Sequence, residues 1–189
     1  CVKVLYIRND KDVKKESKMN KVLIYLGTSN LKEKVIEDVF KQIGIEINYI
    51  DDDDLENTLE KLLELPRKEG EKGKRESFMF IDGDNVDEIK NLESILRDNN
   101  VKIERKAVKT KNNISWTLRA LMDEVDEEFE YFQLRDHLYN LIMHPDKEKL
   151  KKDPDYLKLM SMAFSLLEDQ NVGKDILEIA IKSIENFKN

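Results

Sequence analysis

Histidine and cysteine are almost missing from this chain: among 189 residues there are two histidines, and Cys1 is the only cysteine. One cysteine excludes an intrachain disulfide and a thiolate metal site. His137 and His144 stand seven residues apart. On one helix they would share a face at about 10 Å, too far apart to hold one metal ion. Neither a Ser-His-Asp nor a Cys-His arrangement can be assembled, which favours a non-enzymatic protein. No cofactor is implied. No apolar run approaches the roughly 20 residues that span a bilayer, and the start lacks the apolar core of a secretory signal. Phosphate-loop spacing is absent too. Gly27-Thr28-Ser29-Asn30 follows the first strand signal, but neither G-x-G-x-x-G nor G-x-x-x-x-G-K occurs, so Ser or Asn capping a helix is the simpler reading.

What the chain does have is charge. Asp, Glu, Lys and Arg make up 39% of the residues against 40% apolar, with a net charge of -7. Acidic and basic residues alternate throughout, which weighs against a general grip on nucleic acid or anionic membrane, though a local basic patch can still hold an anion. The apolar residues fall in periodic runs, so the chain folds. A reducing cytoplasm fits these features. Met19 opens Met-Asn-Lys-Val-Leu-Ile-Tyr-Leu, a start followed directly by a strand. Residues 1–18 are therefore expected to be an extension outside the core. The competing reading is an edge strand at Val2–Ile7.

Residues 19–125 alternate strand and helix signals. Val22–Leu26, Ile45–Ile50, Phe78–Ile81 and a segment within Val101–Val108 read as strands. Val35, Ile36, Val39, Phe40 and Ile43 follow helical spacing, with Gly44 at the C-cap. Leu55, Leu59, Leu62 and Leu63 mark a second helix that Pro66 ends. Residues 66–76 hold two glycines and many charges, and read as a mobile surface loop. Val86, Ile89, Leu92, Ile95 and Leu96 form a third helical stripe. Ile114, Leu118, Leu121, Met122 and Val125 form a fourth. Four strand-helix units in a row predict an α/β fold, a small parallel three-layer sheet domain with strand order 2-1-3-4. The alternation shows no repeat register of its own. Residues 126–189 read as an all-helical extension: Phe129–Ile142, then Tyr156–Leu167 and Ile176–Phe187 around a turn at Asn171–Gly173. Met160, Met162, Phe164 and Leu166 exceed one narrow stripe, which suggests burial on two sides, within the chain or against a protein partner or second copy.

The most informative stretch is Lys106–Leu118. It sets the single tryptophan, two asparagines and three lysines where a strand turns into a helix. Asn112, Asn113 or Ser115 can cap that helix, and its N-terminus attracts anions beside Lys106, Lys109 and Lys111. Trp116 lies about 200° round the helix from Leu118, off its main buried face. In the functional reading Lys106, Thr110, Asn112, Asn113 and Trp116 make a contact site for a partner or an anion. In the plainer reading Asn caps, the lysines are solvated and Trp116 packs under the C-terminal helices.

The same residues carry a resemblance. Lys106-Ala107-Val108, Thr110, Asn113 and Trp116-Thr117-Leu118 follow the Lys-Ala-Val strand and Thr-x-x-Asn-x-x-Trp-Thr-Leu turn of domain of unknown function 3783. From about Phe78 to Glu128 the chain resembles that family. The resemblance implies a bacterial origin and names no activity, substrate or cofactor.

Two acidic strand ends compete for attention. Asp82 and Asp84 in Phe80-Ile-Asp-Gly-Asp-Asn85 are similar to the first strand of NYN-type ribonuclease domains, whose early Asp holds a metal. The later acidic residues of that pattern are missing, so a turn and N-cap are the simpler reading. Asp51–Asp54 is similar to part of a receiver-domain acidic pocket, but the first strand ends without an acid, and capping of the second helix explains the run. The resulting expectation is a cytoplasmic interaction or regulatory protein with its surface at the 106–118 turn, extended by the C-terminal helices. The alternative is a nucleotide- or small-molecule-binding domain, or a metal-dependent hydrolase, using one strand rim of Ser29, Asp51, Asp82, Asp84 and Asn113.

Overall fold

The structure, a computed structural model, describes Met19 and residues 21–188. The expectation for residues 1–18 lies outside the described residues. The chain divides into two compact units, one up to Asp126 and one from Glu127 onward.

The first unit runs β1 (Lys21–Tyr25), α1 (Glu33–Ile43), β2 (Glu46–Tyr49), a 3-10 turn (Asp52–Asp54), α2 (Leu59–Glu64), β3 (Phe78–Asp82), α3 (Val86–Asp98) and β4 (Arg105–Val108), then the start of α4 (Leu118–Met143). β1 and β3 read as nearly unbroken apolar runs because helices cover both of their faces. On one face Val22, Ile24, Met79 and Ile81 meet Ile36 and Phe40 of α1 and Ile89 and Leu92 of α3. On the other, Leu23, Tyr25, Phe78 and Phe80 meet Leu59 and Leu62 of α2 and Leu118 and Leu121 of α4. The result is three layers.

The strand order is β2-β1-β3-β4, as the sequence suggests, but the sheet is mixed rather than parallel. β1 pairs in parallel with β2 and β3 with β4, while β1 and β3 are antiparallel. The cause lies between α2 and β3. α2 carries the chain back to the start of β1, where Lys21 Nζ donates to Leu63 O at 3.0 Å and Leu65 O at 3.4 Å. A standard crossover would enter the next strand there, giving a parallel pair. Instead the chain turns at Pro66 and returns. The Asn48 side chain holds it by donating to Leu65 O and Pro66 O at 3.3 and 3.2 Å and accepting from Lys68 N at 3.0 Å. Gly70 N then donates to Glu33 Oε1 at 2.8 Å, and Thr28 N donates to Arg75 O at 2.9 Å. β3 begins where β1 ends, with Phe78 opposite Tyr25, and has to run the other way.

Gly27 makes this approach possible. Its φ is 58°, and a Cβ there would lie 2.3 Å from Arg75 O. The glycine serves the returning chain.

The second unit comprises the rest of α4 with α5 (Lys147–Lys152), α6 (Pro154–Glu168) and α7 (Lys174–Lys188). It is helical, as expected. α5 was not anticipated, because Lys-Glu-Lys-Leu-Lys-Lys carries one apolar residue and no stripe. Leu138, Tyr156, Met160, Ala163, Leu177, Ile181 and Ile184 form its core. Asp146 and Asp153 cap α5 and α6, and Pro154 sits in the first turn of α6. Arg135 donates to Leu167 O and, at 2.9 Å, to Asp169 O, satisfying carbonyls at the end of α6. Among the described residues no helix is long and apolar enough to cross a membrane.

Candidate contact site at the 110–118 turn

β4 delivers the chain to the turn, and the turn closes on itself. Thr110 N donates to Asn113 Oδ1 at 2.8 Å, and Asn113 N donates to Thr110 Oγ1 at 3.1 Å. Asn113 Nδ2 donates to Val108 O at 2.9 Å, and the residue is only 2% exposed. Thr110 and Asn113 therefore spend their polar groups on the fold. Lys106 is held 3.2 Å from Glu93, and Lys109 2.9 Å from Asp82. Asn112, Lys111 and Ser115 face solvent.

Trp116 precedes α4 rather than lying within it, so its wheel position relative to Leu118 does not govern it. It is half-buried against the cluster of Leu55, Leu59, Leu118 and Leu121. That cluster is the face of the sheet covered by α2 and α4.

The turn's backbone has its own partner. Leu59 N donates to Trp116 O and Glu60 N to Ile114 O, both at 3.0 Å. Leu118 N donates to Asn57 O at 3.0 Å and Arg119 N to Leu55 O at 2.9 Å. Free N–H groups at the starts of α2 and α4 are satisfied by each other's approach segments, not by water or a ligand. α2 is consequently short, and Leu55 belongs to the approach rather than to the helix.

The rim residues do not gather at one end. Ser29 and Asp51 follow strands that finish at the Tyr25 end of β1, whereas Asp82 pairs with Lys21 at the other end. The four steps of β1 separate these ends by about 13 Å. Asp82 and Asp84 lead into α3, which Asn85 caps by accepting from Asp87 N and Glu88 N at 3.0 and 3.3 Å. Asp51 accepts from Asp53 N at 2.9 Å. No group of three or more His, Cys, Asp or Glu among the described residues could hold a metal ion.

A polar network that the sequence reading passed over lies at the end of β1. The Tyr25 hydroxyl donates to Asp52 and accepts from Arg75 N at 3.2 Å. Burial, reinforced by the Asp52 hydrogen bond, raises the Tyr25 pKa; the same hydrogen bond lowers that of Asp52. Burial and the nearby charges of Glu33 and Glu37 raise that of Tyr49. Lys68 Nζ bridges Asp51, at 2.6 Å, and Asp54. Burial works against its charge, but these two hydrogen bonds outweigh it and hold its pKa above the ordinary value. Arg75 behaves likewise between Asp123 at 2.5 Å and Asp126 at 3.0 Å. In sequence these residues sit inside charge runs that look solvated. The signal in sequence was a tyrosine at the end of each of two neighbouring strands, Tyr25 of β1 and Tyr49 of β2.

No curated protein and no solved structure matches the chain. The stretch from β3 into α4, residues 77–132, matches the family model described as Domain of unknown function (DUF3783), so this part of the chain is a domain of unknown function.

Proposed function

We propose that the protein is a non-enzymatic interaction module whose contact surface is the apolar flank of its C-terminal helices. The observation that carries this reading is a row of exposed apolar side chains on α7. Ile176, Ile179 and Phe187 are 41%, 60% and 36% exposed and lie on one side of the helix beside its buried stripe of Leu177, Ala180, Ile181 and Ile184. Leu157 and Phe164, seven residues apart on α6, are exposed as well. Several exposed apolar side chains on one small helical unit mark a surface that another protein or a second copy can cover. The 106–118 turn, the expected centre of the surface, adds Lys109, Lys111, Asn112 and Ser115 as its exposed residues, while Thr110 and Asn113 turn their polar groups inward. The hydrolase alternative finds no comparable support, since its acidic residues divide between two ends of the sheet. A bacterial cytoplasm is the setting proposed with this reading, on the family resemblance and the single cysteine.

Light scattering over a concentration series tests the proposal, using the wild type and a Phe164→Glu/Ile179→Glu variant. A mass that rises with concentration in the wild type alone supports contact through this flank. Monomers in both, together with identical recovery of bound proteins from cell extract, overturn it.

A further inference from the structure

We infer that the first unit is an internal pair. Residues 21–64 form a second copy of the module that the family model matches only from residue 77, and the two copies meet as a two-fold dimer does. Each copy runs strand, helix, strand, helix. The sheet supplies the first correspondence. Lys21 pairs with Glu46 in the first copy as Phe78 pairs with Arg105 in the second, and the registers continue in step to Ile24 with Tyr49 and Ile81 with Val108. The bond that follows each ladder also matches: Ile50 N to Ile24 O at 3.0 Å, and Lys109 N to Ile81 O at 2.9 Å. β1 and β3 then pair antiparallel about Leu23 and Phe80, so a two-fold axis passes between those residues.

The turns agree more closely than a shared topology requires. From β2 onward, a residue of the first copy corresponds to the one 59 positions later, as Glu46 does to Arg105 and Asn57 to Trp116. Under that relation the bond Leu59 N to Trp116 O becomes Leu118 N to Asn57 O. Glu60 N to Ile114 O likewise becomes Arg119 N to Leu55 O. Thr58 and Thr117 face each other in an antiparallel bridge. Each caps its own helix, Thr58 accepting from Lys61 N at 3.4 Å and Thr117 from Ala120 N at 3.2 Å. Asp51 N donates to the Asp54 side chain at 3.1 Å just as Thr110 N donates to that of Asn113 at 2.8 Å. The family's Thr-x-x-Asn-x-x-Trp-Thr-Leu turn thus has a counterpart in Asp51-x-x-Asp54-x-x-Asn57-Thr58-Leu59.

This is the self-complementary contact of a two-fold interface, in which residue i meets j and j meets i. The surface that β3 and the 110–118 turn present to the first copy is therefore one that fits a second copy of the same module. In this chain that place is taken by residues 21–64.

The full-length protein tests the assignment. If the turns are equivalent, Asp51→Thr/Asp54→Asn installs the second copy's pair in the first. Its melting temperature then stays within a few degrees of the wild type, while Asp51→Ala/Asp54→Ala loses substantially more. Equal losses in the two variants overturn the equivalence. If both fail to fold, amide exchange in Leu59→Ala and Leu118→Ala decides. Reciprocal pairing requires that either substitution opens Leu59, Glu60, Leu118 and Arg119 together. Opening confined to the substituted copy overturns the two-fold pairing.

Discussion

The turns at 51–59 and 110–118 hold the same backbone with different chemistry. Thr110 and Asn113 close the second with neutral hydrogen bonds, and the Asn113 amide reaches Val108 O without help. Asp51 and Asp54 close the first with carboxylates, which cannot donate, and a cation borrowed from the returning chain, Lys68, sits between them. The geometry is set by the pairing of the two approach segments, and the side chains have only to satisfy it. The neutral version is self-contained, while the charged version depends on residues 65–76 being in place.

Removing what the two turns share has the largest effect. Leu59 and Leu118 are both fully buried, so Leu59→Ala and Leu118→Ala each cost about 2–5 kcal/mol in denaturant unfolding. A loss from only one would break the comparison. Next comes the neutral turn: Asn113→Ala strands buried polar groups and costs about 1–3 kcal/mol. Lys68→Met in the charged turn costs less, about 1 kcal/mol, because the lysine side chain is 36% exposed and solvent screens it.

Alkaline pH sharpens the contrast. Tyr25, Tyr49 and Lys68 all lie in or against the first copy, and all hold their protons more tightly folded than unfolded. Their contribution is complete below their ordinary values of about 10 and is lost as pH rises through the higher folded values. Amide exchange above about pH 10 should therefore show opening that begins in the first copy and takes the reciprocally bonded Leu118 and Arg119 with it, while β4 and α3 of the second copy follow later. Uniform opening would contradict this. The smallest effect is expected at Asn112. Its side chain is exposed, and Asn112→Ala should change stability by less than about 0.5 kcal/mol.

Much of the fold could be read from the sequence. Apolar runs located β1 and β3, helical stripes located α1 and α3, and Gly44 marked a real left-handed cap at φ 70°. Strand direction could not be read. It depends on the path of residues 65–76, whose anchors Asn48, Glu33 and Thr28 resemble ordinary polar surface residues in sequence. The duplication was hidden for a related reason. Asp51 and Asn57 differ in chemistry from Thr110 and Trp116, Asp54 matches Asn113 only as an acceptor, and the Thr-Leu pair alone is identical in both. The role of the 110–118 turn was obscured because its strongest contacts are backbone hydrogen bonds to residues 55–60, which no side-chain pattern announces.

The antiparallel seam between β1 and β3 joins residues 21–25 to residues 78–82, and that separation has a consequence during synthesis. The inner edge of β1 stays unpaired until β3 is made, several seconds later at about 5–20 residues per second. An open strand edge invites another strand, and on a polysome the nearest candidate is the β3 of a neighbouring nascent chain, identical to the proper one. Exchanged dimers joined through this seam are the misassembly to look for when ribosomes crowd the message, and slower translation between the two copies, which lengthens the wait of β1, should increase them.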